Sequence, residues 1–306
     1  MVRRVGRVVG VLPMQRRRRS LQSPTNAHTP LFDMLAIDEA AGRALADALF
    51  ASGTAGITIG PIDAHGRALN ALHSAADAAG YRYSTEPVLR APYISAGMSL
   101  GEYRRSLSHN LRHDVERRLR RLCETGAVSV QMSDGTENLD ELLDAGLRVE
   151  ASGWKGARGT AIGAEPSTRH FYGEVARWAA SSGWLRLAFL KLNDRPIAFQ
   201  FDLERDRTYY SLKIGYDPEF ERFSPGKLLA YMMVLRAVAR GLNTYELLGT
   251  DEPWKYRWTD SCRERVALRC FARSPTGVVR WVTDTHVRRV VRSVPLAARV
   301  AAALRD

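Results

Sequence analysis

The residues best suited to chemistry lie between Thr208 and Trp258, in the run TYYSLKIGYDPEFERFSPGKLLAYMMVLRAVARGLNTYELLGTDEPWKYRW. Residues 208–214 are β-branched and aromatic and read as a strand. Ser224-Pro225-Gly226-Lys227 opens a helix, and 244–248 reads as a second strand, so the run is a βαβ unit. Its loop, 215–227, brings backbone N–H groups to a helix N-terminus, the place where phosphate groups bind. Pro225 costs little in the first helical turn. Ser224 can cap the helix or offer its hydroxyl to a phosphate oxygen, and Lys227 adds positive charge there. An ordinary capped helix after a turn is the plain alternative.

Other candidates surround this loop. Alternation along 208–214 and along the preceding strand predicts one apolar face and one polar face that carries Gln200, Asp202, Tyr209, Ser211 and Lys213. A polar row on central strands lines a cleft or faces solvent. Glu150, Glu246 and Asp251 are candidate general bases. Trp154-Lys155 and Trp254-Lys255 stand in Gly/Pro-rich loops, where an aromatic ring serves packing or binding. His109 and His113 have the i, i+4 spacing of metal ligands, but on an Arg-rich face without the H-E-x-x-H form, and no metal is expected. Neither G-x-S-x-G nor G-x-x-x-x-G-K-[ST] occurs.

The rest of the chain must hold these groups. With 306 residues, 45% of them hydrophobic, two domains with sizeable cores are expected. The formal charge of +12 suits an anionic partner, or reflects a general preference for arginine, since only Lys155, Lys191, Lys213, Lys227 and Lys255 among 45 basic residues are lysines. Three cysteines without C-x-x-C spacing point to a reducing, cytoplasmic location and away from a structural zinc site. No apolar run reaches the roughly 20 residues that span a bilayer.

Strands are predicted at 7–12, 56–62, 81–93, 128–132, 185–192, 196–203 and 266–272. Helices are predicted at 65–79, 101–126 (one basic, amphipathic helix), 139–150 and 168–182, the last with Phe171, Val175 and Trp178 inward. This is an α/β (α+β) chain with mixed sheets. Its expected division is 1–126, an N-terminal half with the basic connecting helix; 127–282, a C-terminal domain; and 283–306, a basic amphipathic tail suited to peripheral membrane contact.

The ordered set Gly-Tyr-Asp, Ser-Pro-Gly-Lys-Leu-Leu, Tyr-Glu-Leu-Leu-Gly and Trp-Lys…Trp, preceded by Glu-Ala-Ser-Gly-Trp-Lys-Gly and an N-terminal Val-Leu-Pro-Met-Gln-Arg-Arg, resembles the GNAT-superfamily acyltransferases of the CelD-like and FemAB-like branch. The resemblance covers most of residues 7–272. It implies tandem GNAT-like halves, the N-terminal one incomplete before its Leu-Pro strand. It also implies acetyl-CoA or another acyl-CoA as co-substrate, at splayed strands of the C-terminal half. Tyr216, Ser224, Pro225, Gly226, Lys227 and Leu228 then hold the cofactor, although this chain keeps one glycine of the usual Q/R-x-x-G-x-G/A loop. Direct acyl transfer to an amine or hydroxyl follows, on a small molecule or glycan precursor of envelope or polysaccharide metabolism. Glu150 or Asp251 is the base, Lys213 acts at the reacting centre, and Trp154, Lys155, Gln200, Tyr209 and Lys255 bind the acceptor. The alternatives are a Fem-type transferase using aminoacyl-tRNA, gripped by the basic helix, and a non-catalytic module docking on a membrane or envelope assembly.

Overall fold

The computed structural model describes residues 1–18, 20–26, 28–152 and 165–293. They form two compact units, 1–90 with 263–293, and 91–262. The basic helical region therefore falls within the second unit, and the strand following Ser261 returns to the first.

The first unit carries a small antiparallel sheet of β1 (Val2–Arg4), β2 (Arg7–Val11) and β5 (Leu35–Ala36). A second set runs β3 (Gln15–Arg17), β4 (Ser20–Gln22), β6 (Gly56–Asp63), β13 (Cys262–Phe271) and the start of β7 (Arg82–Ser95). Helices α1 (Glu39–Ala51) and α2 (Arg67–Ala78) cover it, with Leu49, Leu69 and Leu72 buried along their inner faces. Ile57, Ile59, Val266, Leu268 and Cys270 meet them in one core. Helix α1 has no counterpart among the sequence expectations, though Asp38 caps it by accepting the Ala41 N–H at 2.8 Å.

The second unit is built on the order β7–β12–β11–β10–β9–β8, with β8 (Val128–Ser133), β9 (Leu185–Leu192), β10 (Arg195–Arg205), β11 (Thr208–Tyr216) and β12 (Thr244–Glu246). All pairs are antiparallel except β11 with β12, the parallel pair that the βαβ reading predicts. Among the described residues five α-helices flank these strands: α3 (Leu100–Ser106), α4 (His109–Cys123), α5 (Leu139–Ser152), α6 (Pro166–Ser181) and α7 (Pro225–Ala239). Helix α7 is apolar nearly all round and lies in the larger core with Tyr103, Leu111, Leu190 and Tyr245.

Two helical expectations are corrected. The basic helix is two helices, because Leu107 is extended and Ser108 starts afresh, accepting the Leu111 N–H at 3.2 Å. Ser99 and Glu102 form a reciprocal capping box on the first. In α6, Phe171 and Trp178 are about half exposed, whereas Tyr172, Gly173, Ala176 and Ala179 face inward. Small residues let the helix approach the strands, and Trp178 instead packs edge-on against Trp184 with centroids 4.8 Å apart.

The chain ends in α8 (Pro275–Ser293). The tail beyond 293 lies outside the described residues. No helix among the described residues is long and apolar enough to cross a membrane.

Close approach of α5 to β10 depends on Gly146, where an added Cβ would run into the ring of Phe199, itself fully buried. Gly146→Ala should cost about 1–3 kcal/mol through overpacking. Urea denaturation checks this, and Phe199→Leu in the same chain should recover part of the loss.

Candidate active site

Strand β11 organises the site. Its register with β10 slips once: Phe201 pairs with Lys213, but Asp202 pairs with Ser211, so Leu212 is the extra residue of a β-bulge. A bulge interrupts the alternation of faces, and this corrects the predicted polar row. Ser211 stays with Gln200 and Asp202. Lys213 crosses to the side of Phe201, where its ammonium lies 5.4 Å from the Tyr172 ring centroid.

On its other edge β11 pairs with β12 only from Thr208 to Tyr210. Strand β12 ends at Glu246, while β11 runs on to Tyr216. The two strands part there, and a cavity of about 510 Å³ opens beside β11. Glu150, Gln200, Ser211 and residues 212–216 line it, together with Ser224, Gly226, Lys227 and the loop residues Leu247, Leu248, Glu252, Lys255 and Trp258.

Three local features shape its walls. Gly215 lets the end of α5 rest on the strand: a Cβ there would sit 2.5 Å from the Glu150 Cα. This brings Glu150, only 1% exposed, to the cavity. Burial, with the charge of Glu150 added, raises the Tyr172 hydroxyl's pKa above the ordinary tyrosine range.

Secondly, Ser224 precedes α7 in the left-handed region (φ 51°), a conformation that costs a non-glycine residue about 1–3 kcal/mol. Its side chain does not cap the helix. Pro225 has no N–H, and the amides of Gly226 and Lys227 stand at the open first turn. Gly226 approaches β11 closely, its ideal Cβ being 3.4 Å from the Tyr216 ring.

Thirdly, the loop after β12 is held by a buried lysine. Lys255, 4% exposed, donates to the carbonyls of Leu248 and Thr250, both at 2.7 Å, and pairs with Glu252 at 2.8 Å. Leu248 and Gly249 are both left-handed (φ 49° and 59°), so Lys255 fixes a strained turn.

The sequence-predicted residues divide accordingly. Glu150, Lys213, Gln200, Tyr216, Ser224, Gly226, Lys227 and Lys255 converge on the cavity. Pro225 and Leu228 are buried in α7 without lining it. Tyr209 also stays inside, its hydroxyl donating to Asp202 Oδ2 at 2.9 Å and its ring stacked on Tyr245 at 5.0 Å. Asp251 is exposed and outside the lining, while its neighbour Glu252 is part of it. Trp154 and Lys155 lie outside the described residues. Among the described residues no group of three or more His, Cys, Asp or Glu could hold a metal ion.

Lys227 is not a freely swinging cation. Its ammonium lies 3.0 Å from Asp114 of α4, which Arg118 also holds at 2.9 Å. Arg118 reaches on to the Arg222 carbonyl at 2.7 Å, tying the loop before α7 to α4. A second cavity, of about 760 Å³, lies along this tie and shares Leu111, Lys227, Arg257 and Trp258 with the first. Sequence reading missed Leu111, Asp114 and Arg257, because their place depends on α4 packing against α7. Trp258 carried a signal, as the last residue of the Trp-Lys…Trp pattern.

Partial burial opposes the Asp114 charge, but the hydrogen bonds and charges of Lys227 and Arg118 prevail and hold its pKa down to about 2. A depressed carboxylate pKa stabilises the fold above the unfolded-state value, and that contribution is lost as pH falls through the folded-state value. Acid unfolding should therefore show a loss of stability between about pH 4 and pH 2 that Asp114→Asn removes, the variant being less stable than wild type at neutral pH. Denaturant midpoints across that range check it.

Residues 109–256 match the family model of an acetyltransferase (GNAT) domain. No curated protein matches the chain. Among solved structures, FemX is similar over 89% of this chain and 86% of its own, at 16% identity and a TM-score of 0.59. L-PGS from Bacillus licheniformis is similar over 90% of this chain and 85% of its own, at 11% identity and the same TM-score. At such identities the likeness is one of fold. The chain thus has the FemX-like form of the acyl-CoA N-acyltransferase (GNAT) fold, and the segment that matches the acetyltransferase (GNAT) domain model runs from α4 to the loop after β12.

Proposed function

We propose that the protein moves an acyl group, acetyl foremost, from acyl-CoA to an amine or hydroxyl acceptor. The observation that carries this reading is the opening between β11 and β12, bounded by the N-terminus of α7. A thioester lying along β11 would point its pyrophosphate at the Gly226 and Lys227 amides, where the helix dipole and the Lys227 charge favour an anion. Its carbonyl would meet backbone N–H groups of the bulged strand, which suits stabilisation of an oxyanion. The acceptor would enter from the second cavity, across the shared wall of Leu111 and Trp258.

In this reading Glu150 accepts the proton that the attacking amine loses, being the buried carboxylate on the cavity wall. Lys213, across the bulge from Ser211, orients the substrate on the Tyr172 side. Lys255 keeps the 247–258 loop in shape rather than binding the acceptor itself, since its donors are taken up by the loop. A sugar-linked acceptor of envelope or polysaccharide metabolism, and a reducing cytoplasmic setting, fit the same reading.

Calorimetric titration with acetyl-CoA, on wild type and Gly226→Asp, tests it. The substitution sets an anion where the pyrophosphate is placed. The site accommodates a Cβ at ordinary contact distance, and an acidic residue suits a helix N-terminus, so stability should be unchanged or slightly raised. Micromolar binding by wild type that weakens at least about tenfold in the variant is expected, a difference of about 1.4 kcal/mol. A well-folded wild type that binds neither acetyl-CoA nor a long-chain acyl-CoA would overturn the acyl-CoA reading. Steeply salt-dependent binding to RNA would then favour an aminoacyl-tRNA donor.

A further inference from the structure

Behind the cavity lies a carboxyl group that the transfer described above does not use. Asp202 is fully buried on β10. Its Oδ2 accepts the Tyr209 hydroxyl at 2.9 Å, Ser211 stands opposite it as its cross-strand partner on β11, and its Oδ1 has no hydrogen-bond partner among the described residues. Ser211 lines the cavity; Asp202 does not. Beside them stand Tyr245, stacked on Tyr209, and Gln200, which is 1% exposed, lines the cavity and has its Oε1 without a hydrogen-bond partner among the described residues.

Tyrosines, a serine and an amide surround Asp202, and Arg186, its cross-strand partner on β9, turns its guanidinium away to Glu204 and to the Gly183 and Leu185 carbonyls. Glu204, next along the same face of β10, already holds Arg186 and Arg240. Tyr103 approaches Tyr245 from α3. A carboxyl desolvated in this way and left without a cation is held as the neutral acid. Burial accordingly drives its pKa well above the usual carboxylate range, and the nearby hydroxyls of Tyr209 and Ser211 only moderate this.

We propose that Asp202 supplies, through the Ser211 hydroxyl, the proton taken up by the leaving group of the acyl donor. The proposal rests on the acyl-transfer reading and deepens it. When the tetrahedral intermediate collapses, the bond from the acyl carbon to the leaving sulfur breaks and its electron pair goes to sulfur. Sulfur takes the Ser211 hydroxyl proton, Ser211 takes the proton of Asp202, and Asp202 is left as carboxylate. The proton that the amine gave to Glu150 passes to solvent, and solvent reprotonates Asp202, so the cycle closes with one amine proton exchanged for one thiol proton. The two carboxyl groups divide the work: one on the wall takes a proton, and one buried behind the strand gives one. Asp202 acts through Ser211 and is a positioning and relay residue.

Two readouts separate this relay from the acyl-CoA reading. Infrared spectra of the full chain at neutral pH, compared with Asp202→Asn, should show one protonated carboxyl band that the variant lacks. Tyr209→Phe removes one hydrogen bond to the carboxyl and keeps the stacked ring. It should retain that band and move its titration to higher pH, which guards against a variant that misfolds. Absence of the band in wild type overturns the relay, whatever the donor.

The second readout is leaving-group dependence, with hydroxylamine as acceptor. Asp202→Asn and Ser211→Ala should slow transfer from acetyl-CoA on the order of 10²-fold, the usual effect of losing a general acid. Transfer from 4-nitrophenyl acetate, whose leaving group needs no proton, should change little. Equal losses with both donors would mean a merely structural role and would overturn the relay. A wild type with the infrared band but silent toward acetyl-CoA would sink the acyl-CoA reading and leave the buried acid in place.

Discussion

A strand edge can be hydrogen-bonded by one neighbour at a time, and the site exists because β11 has more edge than β12 can cover. Their parallel pairing lasts three residues, from Thr208–Thr244 to Tyr210–Glu246, and then the shorter strand turns away. The walls of the cavity are arranged around the remaining length of β11. Helix α7 places its open N-terminus against Tyr216, α5 places Glu150 against Gly215, and the loop after β12 closes the far side. Had β12 continued in register, the cavity would be filled with sheet.

The bulge at Leu212 adds the second constraint. With strict alternation, Lys213 would share a face with Ser211 and Asp202, and a cation beside that buried carboxyl would form an ion pair. The slipped register sends Lys213 to Tyr172 and leaves Asp202 among hydroxyl groups. One extra residue thus separates the side of the strand that carries Lys213 from the side that carries Gln200, Ser211 and Asp202.

The walls of the cavity are held by polar ties of unusual economy. Asp114 serves Lys227 and Arg118 together, and Arg118 continues to the Arg222 carbonyl, so one carboxylate joins α4 to both sides of the α7 N-terminus. Lys255 does the same for the opposite wall by bonding two loop carbonyls and Glu252. Both lysines were legible as special in a chain that otherwise writes arginine. Their compact ammonium groups suit buried, multidirectional bonding better than a planar guanidinium does.

The sequence by itself determined most of the longer elements and their order, helix α1 and the break between α3 and α4 excepted. Apolar periodicity, the Ser-Pro-Gly start of α7 and the turn residues at Asn193-Asp194 are local signals, and the βαβ unit, the hairpin and the parallel pair follow from them. It also marked the site's neighbourhood, since Glu150, Gln200, Lys213, Tyr216, Ser224, Gly226, Lys227 and Lys255 all reach one cavity. Only the tertiary structure decided which way those side chains face. The bulge that moves Lys213 is a property of two strands in register, not of either strand alone. The burial that keeps Tyr209 away from substrate comes from Tyr245 stacking on it across the sheet. Asp251 and Glu252 differ by one position in a loop whose path is set by a lysine's bonds to backbone carbonyls. Such contacts join residues distant in sequence or depend on backbone path, and no local pattern of residue types encodes them.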